Sequence, residues 1–82
     1  MGSILPLSES AKNFQPGIYR HYKGGLYDAM FVARTEATGE EQVIYKSREK
    51  RYIWTRPLAM FMEEVDVDGK TMPRFEFVNE QE

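Results

Sequence analysis

Three glycine-bearing turns constrain this chain more than any other feature. Gly24-Gly25, the polar run Glu36-Ala37-Thr38-Gly39-Glu40-Glu41 and Asp68-Gly69 lie between short runs of aromatic and β-branched residues. Runs so short and so punctuated form strands joined by tight turns. Residues 17–23 end at the Gly-Gly pair. Residues 26–35 are the longest strand candidate, with Tyr27, Ala29, Phe31 and Ala33 expected on one face and Met30 and Val32 on the other. Residues 42–47 set Val43 and Tyr45 against Ile44 and Lys46, and residues 51–56 set Tyr52 and Trp54 against Ile53 and Thr55. Pro57 ends that strand because it has no N–H for a ladder. Residues 57–64 read as one or two turns of helix, with Pro57 at the start and Leu58 and Phe61, or Phe61 and Val65, spaced to face inward. Asp68-Gly69 is a strong hairpin signal, and residues 72–78 close the pattern with Phe75 and Phe77 on one face.

The chain has 82 residues and so makes one domain at most. It has no cysteine, hence no disulfide and no thiolate nucleophile, and its single histidine cannot replace the thiolates of a structural zinc site. Stability must come from packing, and five Tyr, five Phe and one Trp supply the buried area. The expected fold is mostly β: a small SH3-like β-barrel of five or six strands, with one short helical turn near residues 57–64. Closure would protect the edges of so small a sheet. An open sandwich or a roll with a C-terminal hairpin is the alternative. Residues 1–16 read as a partly ordered arm, with a short helix capped by Ser8 and with Ile4, Leu5, Leu7 and Phe14 free to dock. Residues 17–78 form the barrel domain, and residues 79–82 a frayed tail.

The N-terminus has no basic, apolar leader pattern, and no run approaches the ~20 apolar residues of a membrane span. The expected location is the cytoplasm, with no membrane partner. Residues 17–62 carry eight Lys/Arg against five Asp/Glu, a net of +3, and residues 63–82 carry two against seven, a net of −5. That split fits a polar binding face or a solubilising tail.

A few residues invite chemistry. His21 alone titrates near neutrality, and it sits among Tyr19, Arg20, Tyr22 and Lys23. It reads as a strand histidine or an anion contact, since nothing nearby marks the nucleophile or carboxylate that catalysis needs. Lys23-Gly24-Gly25 lacks the spacing and the helix of a P-loop and reads as a turn. Trp54 and Arg56 fall on one side of their strand. Facing solvent, they form an aromatic plate beside a guanidinium. Facing inward, Trp54 is core and Arg56 needs a carboxylate such as Glu63 or Glu64. Lys46, Arg48, Lys50 and Arg51, interleaved with Tyr45, Tyr52 and Trp54, suit a single-stranded nucleic acid or a merely solvated loop, and a pI near 5.4 opposes strong nucleic-acid affinity. Asp66-Val67-Asp68-Gly69 lacks the ligand spacing of a calcium loop. No metal or cofactor is expected.

Taken together, Gly17-x-Tyr19-Arg20-His21-Tyr22-Lys23-Gly24-x-x-Tyr27, Thr38-Gly39-Glu40, Val43-x-Tyr45, Trp54-x-Arg56-Pro57-Leu58-x-Met60-Phe61, Val67-x-Gly69 and Arg74-Phe75 resemble the bacterial family called domain of unknown function 1653. The resemblance covers roughly residues 16–77. It implies a small bacterial β domain and brings no established activity. The chain departs from the family pattern at Lys46-Ser47-Arg48-Glu49-Lys50, where relatives carry an apolar pair and a Tyr-Gly turn.

Three functions fit these residues. The first is a non-catalytic binding module whose face carries Tyr19, His21, Tyr22, Lys23, Trp54, Arg56 and Arg74, with a protein segment or a single-stranded nucleic acid as partner. The second is a small enzyme using His21, with Arg56 or Arg74 holding an anionic substrate. The third is a structural subunit whose aromatics serve a homodimer.

Overall fold

A computed structural model describes residues 6–79. After the short helix α1 (Glu9–Lys12) come strands β1 (Gly17–His21), β2 (Leu26–Arg34), β3 (Glu41–Ser47) and β4 (Ile53–Pro57). Helix α2 (Leu58–Phe61) follows, then β5 (Glu64–Val67), β6 (Lys70–Pro73) and β7 (Phe75–Asn79). The first four strands form an antiparallel meander. The last returns to the free side of β1, which gives the order β4-β3-β2-β1-β7, while β5 and β6 pair as a separate hairpin. The protein is therefore mostly β, with two short helices. Among the described residues no helix is long and apolar enough to cross a membrane.

The sheet is open. β4 and β7 are its two edges and do not pair with each other, so the expected closed barrel does not form. The cause lies in residues 72–78, which do not run as one strand. Pro73 offers no N–H, and Arg74 leaves the ladder there. Its N–H donates to the Glu63 carbonyl at 2.9 Å, and its carbonyl accepts from the Tyr22 N–H at 3.0 Å. The first half of the run pairs with β5 and the second half with β1. The inner face is covered by helices instead of by closure. The turn between β5 and β6 follows the sequence expectation: Asp68 and Gly69 both take positive φ, at 52° and 82°, as an Asp-Gly hairpin turn requires.

Ser8 caps α1 by accepting from the Ala11 N–H at 3.0 Å. Phe14 then stacks on Tyr19 and meets Phe61 edge-on. Leu7 stays exposed. Ile4 and Leu5, expected to dock, and the tail beyond Asn79 lie outside the described residues.

The core joins Tyr19, Ala29, Val43, Tyr45 and Phe75 of the sheet to Ala11, Leu58 and Phe61 of the helices. Phe61 is fully buried. It stacks on Phe75 with ring centres 4.2 Å apart and meets Tyr19 and Tyr45 edge-on. The alternation predicted for β2 holds only as far as Ala29. There Ala29 pairs with Tyr45 and Phe31 with Ile44, so Met30 is an extra residue in a bulge. Past the bulge Val32 packs against the core, and Phe31 turns outward, 54% exposed.

The loop between β3 and β4 is closed locally. The Ser47 hydroxyl accepts from the Lys50 N–H at 3.0 Å, and the Ser47 carbonyl accepts from the Arg51 N–H at 2.9 Å. Arg51 takes a left-handed φ of 66°. That conformation costs an L-residue roughly 1–2 kcal/mol, less the entropy a glycine would lose on folding.

Arg51→Gly is therefore expected to stabilise the fold by about 0.5–1 kcal/mol, read from the urea midpoint. Phe61→Ala is expected to cost about 3–5 kcal/mol by leaving a cavity under Phe75. In a domain this small that is most of the stability, and the variant's midpoint should fall sharply in the same assay.

Candidate functional site

The inner face of the sheet is only partly covered. At one end α1 and α2 seal it. At the other the same strands line an open cleft of about 540 Å³. Tyr27, Tyr45, Ser47 and Phe75 line its interior, the turn from Lys23 to Leu26 forms one wall, and Glu49, Lys50, Trp54 and Arg56 form the other. Strand register explains the convergence. Tyr19 lies opposite Tyr27 and Tyr27 opposite Ser47 in one row, and Tyr45 lies opposite Trp54 in the next, so two adjacent rows share one face across four strands. His21 shares that face from the end of β1, opposite Phe75.

Arg56 supplies the cleft's central charge. Its Nε donates to the Tyr45 hydroxyl at 3.3 Å, and its guanidinium lies 5.9 Å from the Phe75 ring centre. Among the described residues it forms no ion pair. The inward-facing alternative had paired it with Glu63 or Glu64. Instead Arg74 takes Glu63, at 3.0 Å. Trp54 is 50% exposed and is not a core residue, and Tyr52 meets its ring edge-on at 5.9 Å. β4 is an edge strand, with β3 as its one neighbour in the sheet.

His21 is half-buried at the mouth of the cleft. Its Nδ1 accepts from the Lys23 backbone N–H at 3.1 Å, so the neutral ring carries its proton on Nε2. Its ring packs edge-on against Phe75 at 4.9 Å. Burial, then Arg56, Arg74 and Lys23 in that order, hold its pKa below the usual 6.5. The ring is thus a neutral donor at pH 7.

The structure brings His21, Lys23, Trp54 and Arg56 together and separates the other expected site residues from them. Tyr19 is in the core; its hydroxyl donates to the Gln15 carbonyl at 2.7 Å, and burial pushes its phenol upward. Tyr22 and Arg74 stand behind His21, outside the cleft, with the Arg74 guanidinium 6.0 Å from the Tyr22 ring centre. Tyr22 belongs to a shallow neighbouring groove with Arg20 and Glu76. Sequence reasoning missed Tyr27, Ser47 and Phe75, and offered Tyr45 only beside the basic stretch of residues 46–51. Their strand faces are readable from alternation, but their meeting depends on register, which no local pattern displays. Among the described residues no group of three His, Asp or Glu is placed to hold a metal.

No curated protein matches the chain. The crystal structure of a family member from Bordetella bronchiseptica is similar to it, with a TM-score of 0.79 and 38% identity, over 85% of this chain and 94% of that one. The family described as protein of unknown function (DUF1653) matches residues 17–77, which include every cleft residue named above. This chain belongs to that family.

Proposed function

We propose that this protein is a non-catalytic binding module whose cleft holds an anionic ligand against Arg56. One observation carries the reading. Arg56 points into an open, partly apolar cleft, is fixed there by Tyr45 and Phe75, and forms no ion pair among the described residues. A half-buried guanidinium so placed leaves donors to be satisfied, and a carboxylate or phosphate satisfies them best. Lys23 and Lys50 at the rim add positive charge against the single carboxylate of Glu49. Tyr45 accepts from Arg56 and keeps its own proton to donate. The cleft's size suits a small ligand or the tip of a larger one.

A catalytic role for His21 finds less support. The hydrogen bond it makes is to a backbone N–H, which orients the ring without supplying a proton relay.

The chain's single tryptophan lines the cleft and reports on it directly. Titration with inorganic pyrophosphate should change Trp54 fluorescence and shift amides of residues 21–25, 45–50 and 54–56. Arg56→Gln should weaken that response about tenfold or more, the scale of a lost charge-assisted hydrogen bond in a partly desolvated site. Equal responses from wild type and variant would remove Arg56 from the site and the reading with it.

The sign of the His21 shift sets a pH dependence. A lowered pKa means that the unfolded chain takes the proton first as pH falls. The stability contribution is therefore whole above about pH 6.5 and is lost as pH drops through the folded value. Glu41, held low by hydrogen bonds from Ser8, acts only below about pH 4.5. Urea unfolding should thus show a midpoint lower at about pH 5.5 than at about pH 7.5, and His21→Gln should remove most of the difference.

A further inference from the structure

Resting on the reading of the cleft as an anion site, we propose that its ligand is a nucleoside monophosphate unit, with the base on Trp54 and the phosphate on Arg56. The layout of β4 is the reason. Trp54 and Arg56 are two residues apart, so they leave the same face of the strand about 7 Å apart. A nucleotide has the same two-ended layout, with a flat ring and a phosphate separated by one ribose.

Each end is built for its part. Trp54 offers a half-exposed ring, and the edge-on contact from Tyr52 restricts how that ring can turn. An aromatic plate so held gives a base a stacking surface whatever its identity. Arg56 offers a planar fork, and His21 across the cleft offers its Nε2 proton. Tyr45 lies opposite Trp54, and Ser47 lies one step beyond it, away from Arg56; both line the cleft. The Ser47 oxygen already accepts from Lys50, so its proton is left to donate to a base edge. A simple carboxylate or inorganic phosphate would use the Arg56 end and place no ring on Trp54. The same chemistry is presented by a free mononucleotide and by one nucleotide of a single strand.

Calorimetry on the full chain separates these cases, with adenosine monophosphate, ribose phosphate, phenyl phosphate, adenosine, inorganic phosphate and a short oligothymidylate as probes. Adenosine monophosphate should bind about tenfold or more tightly than ribose phosphate, the scale of one base stacked on an aromatic side chain. Trp54→Leu should bring it down to the level of ribose phosphate. Trp54→Phe should keep part of the advantage, which distinguishes lost stacking from a damaged fold. Arg56→Gln should weaken both ligands. An oligothymidylate that binds more tightly than the mononucleotide, with steep salt dependence, identifies the strand as the source. Equal or weaker oligonucleotide binding identifies the free nucleotide.

Equal affinities for adenosine monophosphate and ribose phosphate overturn the nucleotide assignment and leave the anion site standing. So does phenyl phosphate binding as tightly as the nucleotide. Silence towards every phosphate, inorganic phosphate included, overturns both.

Discussion

The stack of Phe61 on Phe75 ties together parts of the chain that no backbone ladder joins. Phe61 arrives on a single helical turn, and Phe75 on the strand that follows a separate hairpin. Their rings lie parallel within 5° at 4.2 Å, with Tyr19 and Tyr45 meeting Phe61 edge-on. Two ring faces and two ring edges thus bring β1, β3, β7 and α2 to one point. In a domain with no disulfide, that aromatic packing takes the place a covalent staple has in other small folds.

The same stack decides where the core ends and the cleft begins. One face of Phe75 lies against Phe61, while other parts of its ring meet His21, Tyr27 and the Arg56 guanidinium. Tyr45 has a similar double position: its ring is in the core, and its hydroxyl meets Arg56 in the cleft. The groups that orient the cation are therefore held by the best-packed part of the protein. A site built on rigid strands in this way needs little reorganisation to bind, which lowers the entropic cost of association.

Much of this was legible in the chain. The Asp68-Gly69 turn, the Ser8 cap and the inward pair Leu58 and Phe61 each rest on residues within four positions of one another, and each is found as read. The face of β3 was legible too, because Val43 and Tyr45 are buried on a regular interior strand. The bulge at Met30 was not: one extra residue reverses every later side chain, and no local composition marks it. Nor was the break at Pro73–Arg74, which depends on the carbonyl of Glu63 and the N–H of Tyr22, both remote in sequence from Arg74.

The site divides along the same line. His21, Lys23, Trp54 and Arg56 were recognisable by residue type, and alternation placed Trp54 and Arg56 on one side of one strand. Whether that side met solvent or core depended on what covers an edge strand, and on which arginine claimed Glu63. By itself the sequence determined the strands, the turns and the chemistry of the candidate residues, because these follow from side-chain periodicity and backbone preference over a few neighbours. Only the tertiary structure decided that the sheet stays open and that Trp54 and Arg56 share a cleft with His21. Those outcomes come from contacts between distant segments, where the burial of one face and the partner of one charge are settled by competition across the whole chain.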